Sequence, residues 1–141
     1  MAVALYLDTS VALRATLEAG TTPEVEALIA SSRILVTSRL SLVESARALM
    51  RARQLRRASE KDLADVESEL DSLWSRCEIW ELTESVCELA CHVAPGKTLR
   101  TLDALHLATF LTARRRIEGL ELLTVDKHLK EDFGNGLAGV R

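Results

Sequence analysis

Four acidic residues stand where their chemistry could matter. Asp8 follows the apolar run 2–7 and Asp126 follows 121–125, so two separate strands each deliver a carboxylate to a chain turn. Asp103 lies within Leu102-Asp103-Ala104-Leu105-His106-Leu107-Ala108-Thr109-Phe110-Leu111, a segment apolar nearly all round and therefore expected to form a buried helix. At helical spacing Asp103 shares a face with His106, Leu107 and Phe110. An unpaired carboxylate there costs several kcal/mol, so it requires an arginine, hydrogen-bond donors or a metal. Glu44 adjoins the apolar stripe of its own segment, Leu42-Val43-Glu44-Ser45-Ala46.

Each acid also has a plain structural role open to it. Aspartate caps helices and favours turns, Asp103 at a helix start complements the dipole with Arg100 nearby, and Glu44 can be a boundary residue. Their coincidence changes the balance. Four carboxylates converging at one sheet end would raise one another's pKa unless a cation neutralised them. Oxygen-only ligation suits Mg²⁺ or Mn²⁺ rather than zinc. Such an ion activates water and offsets charge on a leaving oxygen, which implies phosphodiester hydrolysis without a covalent intermediate. Hydroxyls at Thr9, Ser10 and Thr124 can support the ligands or a metal-bound water, or serve as caps and turn residues.

The elements that must position these residues follow from the patterning. Four short, nearly continuous apolar runs, Val3 to Leu7, Ile34 to Thr37, Glu78 to Leu82 and Leu122 to Val125, read as strands covered on both faces. Between them lie helix signals. Thr9 or Ser10 caps a helix through Glu18 before Gly20, and Thr22 precedes Pro23 at a first helical position. A helix from Leu40 to about Gln54 carries the stripe Leu42, Val43, Ala46, Leu49 and Met50. Ser59 with Asp62 resembles a capping box for a helix ending near Cys77. Further helices run from Thr83 to about Val93, before Pro95 and Gly96, and from Thr101 to about Ile117, before Gly119. The alternation implies a layered α/β domain in which ligands gather beyond the carboxyl ends of parallel strands. The residues just after the strands are Asp8, Ser38, Thr83 and Asp126.

With 141 residues the chain has the length of one domain, 1–141, at roughly 100–200 residues per domain. Eighteen Lys plus Arg against 21 Asp plus Glu give a net charge of −3, and 48% hydrophobic residues exclude a disordered chain. No apolar run reaches the ~20 residues that span a bilayer, and Met1 to Leu7 is too short for a signal peptide. No membrane association and a cytoplasmic location are the expectation. Cys77, Cys87 and Cys91 make an odd count without a secretory signal, so no disulfide framework is expected. The helical spacing of Cys87 and Cys91 beside His92, with no second thiolate pair, argues against structural zinc.

Across almost its whole length the sequence resembles the PIN-domain ribonucleases, in particular the VapC-type toxins of bacterial toxin–antitoxin pairs. The matching stretches are Leu7-Asp8-Thr9-Ser10-Val11, Ser41-Leu42-Val43-Glu44-Ser45, Arg100-Thr101-Leu102-Asp103-Ala104-Leu105-His106-Leu107-Ala108 and Leu123-Thr124-Val125-Asp126. The resemblance implies a three-layer α/β/α sandwich around a mainly parallel sheet of four or five strands, the last an edge strand near the C-terminus. It also implies an Mg²⁺- or Mn²⁺-dependent endoribonuclease with Asp8, Glu44, Asp103 and Asp126 as its acidic centre. Family members cut structured RNAs such as tRNA or ribosomal RNA, form homodimers and are occluded by a cognate antitoxin.

A net charge of −3 means that any grip on RNA is local. Arg47, Arg51, Arg53, Arg56, Arg57 and Lys61 form a basic stretch after Glu44, and Arg114 to Arg116 form a second; either binds phosphate or is a solvated face. Arg47 and Arg51 are the candidate RNA contacts, and Arg100 can pair with an acid or meet a phosphate. His92, His106 and His128 sit on unrelated segments, which disfavours two-imidazole cleavage; His106 is expected to be a hydrogen-bonded packing residue. The aromatic residues lack the spacing of a stacking platform.

Competing classes are weaker. A phosphoaspartyl phosphatase wants a second aspartate where Ser10 stands, and a receiver-like module wants an acidic pair where Tyr6-Leu7-Asp8 offers one acid. The main alternative is a catalytically silent α/β protein-interaction module in which the acids balance arginines.

Overall fold

A computed structural model describes residues 3–126. Its strands are β1 (Ala4–Leu7), β2 (Ile34–Ser38), β3 (Cys77–Trp80) and β4 (Leu120–Leu123). Its helices are α1 (Thr9–Thr16), α2 (Pro23–Ser31), α3 (Arg39–Gln54), α4 (Glu60–Arg76), α5 (Glu84–Ala90) and α6 (Thr101–Arg114). Side chains alternate across a strand, so β1 supplies both halves of the interior. Leu5 and Leu7 pack with Val11, Ile29, Leu49, Leu63, Leu70 and Trp74 from α1 to α4, whereas Ala4 and Tyr6 pack with Leu107, Phe110 and Ala113 of α6. Helices thus cover both faces of the sheet, the three-layer α/β/α sandwich expected from the sequence.

The sheet order is β3-β2-β1-β4, and every pairing is parallel. From β1 the chain builds outward through β2 to β3, then returns to add β4 on the other side. Strand order therefore reverses at β1, where crevices open at the carboxyl ends of parallel strands. Both β1 and β4 end there, with Asp8 immediately after β1. The four described strands agree with the expected sheet; the expected last edge strand lies outside the described residues.

Three local expectations need correction. First, β4 covers Leu120–Leu123 rather than Leu122 to Val125, so Asp126 lies three residues beyond the strand. The reason is pairing: β1 offers partners only from Ala4↔Leu120 to Leu7↔Leu123, after which the chain turns into α1 at Asp8. Likewise β3 stops at Trp80, opposite Ser38, and Thr83 instead caps α5 by accepting from the Val86 N–H. Second, the inward face of α3 is Leu40, Ser41, Ser45, Leu49 and Ala52, leaving Val43 55% and Met50 44% exposed. Small serines let α3 approach closely, and Ser41 Oγ lies 2.8 Å from Thr37 Oγ1 and 3.4 Å from Thr9 Oγ1. Third, α6 ends at Arg114, and the turn that follows uses Gly119 at φ +75, a conformation that favours glycine.

Phe110 has no exposed surface and meets the Tyr6 ring edge-on at a centroid distance of 5.9 Å. Phe110→Ala is expected to lower the unfolding free energy by about 3–5 kcal/mol in a urea titration. A loss below about 1 kcal/mol would mean that the α6 layer is not packed as described.

Candidate active site

Asp8 is 4% exposed and forms the N-cap of α1. Its Oδ1 accepts from the Val11 N–H at 3.1 Å and from Ser10 Oγ at 2.6 Å, while Thr124 donates to Oδ2. Neither Thr9 nor Ser10 is the cap, as the sequence suggested; Asp8 itself is, because its short acceptor side chain reaches the open N–H of Val11. The Thr124 hydroxyl also accepts from the Asp126 N–H at 2.9 Å, and Ser10 Oγ from the Val125 N–H at 3.3 Å. The segment after β4 is thereby tied to the start of α1. Burial pushes the Asp8 pKa up from its ordinary 3.8, opposed by the bonds from Ser10 and Thr124 and by the nearby His106.

Glu44 projects from α3 toward the same space. Its Oε1 accepts from Thr9 Oγ1 and from His106 Nε2, both at 2.7 Å. Burial acts to raise its pKa, but the bonds from His106 and Thr9 outweigh it and hold the carboxyl below the usual glutamate value. His106 is 3% exposed, and its Nδ1 lies 2.8 Å from the Tyr6 hydroxyl. Burial, then the Asp8 charge, keep Tyr6 well above its ordinary pKa, so the phenol is a donor. Tyr6 O–H therefore donates to Nδ1, which leaves the imidazole proton on Nε2 facing Glu44. The expectation of a hydrogen-bonded packing residue agrees with this geometry but omits its target. The i, i+3 placement of His106 after Asp103 was the available signal.

Asp103 and Asp126 share one cation. Arg100, at the N-cap position of α6, donates from Nε to Asp103 Oδ2 at 3.1 Å and from Nη2 to Asp126 Oδ2 at 3.3 Å. The side chains of Asp103 and Asp126 are 14% and 22% exposed, that of Arg100 70%. This is the arginine partner that a carboxylate on so apolar a helix calls for.

All four acids line one cavity of about 290 Å³, together with Thr9, Ser10, Arg100, Thr101, Leu102 and His106. They meet in one pocket without meeting as ligands: among the described residues no three His, Cys, Asp or Glu side chains are grouped closely enough to hold a metal ion. The bonds above explain the separation. Asp8 is held to α1 and Thr124, Glu44 to His106 and Thr9, and Asp103 and Asp126 to Arg100. The donor chemistry still fits Mg²⁺ or Mn²⁺, because the pocket presents carboxylate and hydroxyl oxygens and the His106 nitrogens are committed to Glu44 and Tyr6. Arg47 and Arg51 do not line the pocket; they lie exposed on α3, one and two turns beyond Glu44.

A parallel sheet flanked by helices, with acids gathered past the ends of β1 and β4, is the arrangement of a PIN domain. The PIN domain family model matches residues 5–132, and the chain belongs to that family. Ribonuclease VapC45 of Mycobacterium tuberculosis is 37% identical over 76 residues, 54% of this chain and 53% of that protein. The chain thus matches about half the length of this curated relative. Among solved structures, a toxin–antitoxin complex from Klebsiella pneumoniae superposes with a TM-score of 0.65 at 23% identity, covering 98% of this chain and 95% of the other. VapBC-5, a member of the VapBC family of toxin–antitoxin systems from Mycobacterium tuberculosis, gives 0.63 at 20% identity, covering 99% and 96%. At these identities the structures establish the shared fold. Among the described residues no helix is long and apolar enough to cross a membrane.

The Asp8 shift has a defined sign. An acid whose pKa is higher folded than unfolded binds more protons in the folded state, so its ionisation costs stability as pH rises through that window. Asp8→Asn keeps a capping acceptor for Val11 and removes the charge. In chelator, the variant's melting temperature relative to wild type is expected to rise as pH increases from the ordinary aspartate pKa of about 4 to the raised folded value, and then to level off. A difference independent of pH would contradict the assignment.

Proposed function

We propose that the chain is a metal-dependent endoribonuclease that hydrolyses phosphodiester bonds in structured RNA as the toxin of a VapBC-type toxin–antitoxin pair. The observation that carries this reading is the convergence of Asp8, Glu44, Asp103 and Asp126, from four separate segments of a PIN domain, on one cavity. The name of the relative Ribonuclease VapC45 and the toxin–antitoxin titles of the similar structures support it.

Asp8, Asp103 and Asp126 would hold Mg²⁺ or Mn²⁺, directly or through water, with Glu44 completing the acidic ring. The bound ion would supply a more acidic water and charge compensation for the leaving oxygen. The chain's own groups do the rest. Ser10 and Thr124 fix the direction of Asp8, while Thr9 and His106 hold Glu44 in its ionised form as a fixed negative charge beside the cavity. Hydrolysis adds water across the P–O bond, with the hydroxyl going to phosphorus and the proton to the departing oxygen. Arg47 and Arg51 follow Glu44 at i+3 and i+7 on one side of α3, a track for phosphates leading away from the cavity. In this reading the chain acts in the cytoplasm as a homodimer and is silenced by a cognate antitoxin.

One observation favours a second reading, that of a silent interaction module: Arg100 already pairs with both Asp103 and Asp126 and offsets part of their charge. Metal titration separates the two, since an ion bound only by the folded state raises the melting temperature.

Purified protein with Mg²⁺ or Mn²⁺ is expected to cleave structured RNA. Asp8→Asn and Asp103→Asn are each expected to lose more than the ~10–100-fold typical of changes to groups that merely support metal ligands. Equal rates in the variants, or undiminished cleavage in excess chelator, would reject the proposal. For the double variant Arg47→Ala with Arg51→Ala, RNA affinity measured across salt concentrations should fall, with the log–log salt slope shallower by about 1–2. An unchanged slope would remove these arginines from the RNA path.

A further inference from the structure

Arg100 is held differently from every other group at the pocket. The partners of Asp8 and Glu44 come largely from buried side chains: Thr9, Thr124 and His106 are all under a tenth exposed. Arg100 has a side chain 70% exposed, yet its guanidinium joins two carboxylates from different parts of the chain, Asp103 on α6 and Asp126 beyond β4. Exposed ion pairs are weak and readily exchanged. A guanidinium fork accepts phosphate as readily as carboxylate. A divalent cation on Asp103 and Asp126 would repel the Arg100 charge and compete for the same oxygens.

We propose that Arg100 is a positioning residue that serves as the resident counter-cation of Asp103 and Asp126, and that it exchanges these acids for an RNA phosphate when a divalent ion enters. This rests on the nuclease reading above and adds a coupling to it: metal binding releases a phosphate-seeking arginine, and phosphate binding draws that arginine away from both acids. Coupling of this kind is reciprocal, so each ligand strengthens the other by the same factor. Arg100 thereby disfavours metal uptake without substrate and promotes it with substrate.

The experiment measures binding without turnover. Mn²⁺ affinity is determined calorimetrically for wild type, Arg100→Lys and Arg100→Gln, after melting curves in chelator establish that all three fold. Loss of an exposed competing charge predicts that Arg100→Gln binds Mn²⁺ about three- to fivefold more tightly than wild type, with Arg100→Lys between them. Equal or weaker binding by Arg100→Gln, or no Mn²⁺ binding by any of the three, overturns the proposal. In the second arm, Mn²⁺ is expected to raise the affinity for a phosphorothioate RNA oligonucleotide by a larger factor in wild type than in Arg100→Gln. Equal factors would overturn the exchange onto phosphate. A protein with the predicted Mn²⁺ affinities that cuts no RNA would fail the nuclease reading alone, whereas an active nuclease indifferent to Arg100→Gln would fail this inference alone.

Discussion

A carboxylate withdrawn from water must find its hydrogen bonds within the protein, and Asp8 imposes that requirement on the whole crevice. It stands at the end of the central strand, where the backbone turns directly into α1. Its acceptance from Val11 satisfies an open helix N–H and places negative charge at the favourable end of the helix dipole. Its remaining bonds reach Ser10 in the first turn and Thr124 beyond β4. One side chain therefore sets where β1 ends, where α1 begins and where the chain after β4 must lie. Burial still outweighs these bonds and raises the acid's pKa, so the charged form is held at a cost that its hydrogen bonds only partly offset.

The other acids form a gradient of restraint. Glu44 is fixed through His106 by the phenol of Tyr6, a β1 residue packed against α6, so its orientation is anchored in the hydrophobic core. Asp103 and Asp126 are nearer solvent, and an exposed arginine joins them. Rigid groups at the back of a cavity and exchangeable ones at its mouth suit a site that orients a substrate and still admits it.

Much of this was legible in the sequence. The unbroken apolar runs announced strands covered on both faces, and the sheet has that burial in β1 and nearly so in β2 and β4. It does not in β3, which lies at the end of the strand order with every residue partly or fully exposed. The capping signals at Ser59 and Thr83 correspond to caps with side-chain hydrogen bonds, and an acid on the most apolar helix pointed to the pocket. Thr22 precedes α2 without such a bond. Less legible were properties decided by partners distant in the chain. The end of β4 depends on the length of β1, and the phase of α3 depends on Ser41 meeting Thr9 and Thr37. The separation of the acids arises from hydrogen bonds whose donors are spread from Thr9 to Thr124. Periodicity records which face is apolar; it does not record which hydroxyl a carboxylate will choose.

The bond from Thr124 to Asp8 spans 116 positions of sequence. In chain order β1 precedes the other described strands, and the hydroxyl that satisfies its terminal acid comes near the end of the described residues. Until then β1 lacks β4, and the crevice lacks one wall and one of its acids. Synthesis from the N-terminal side thus leaves a buried acid short of one donor, and a parallel sheet open along one side, until position 124 has been added.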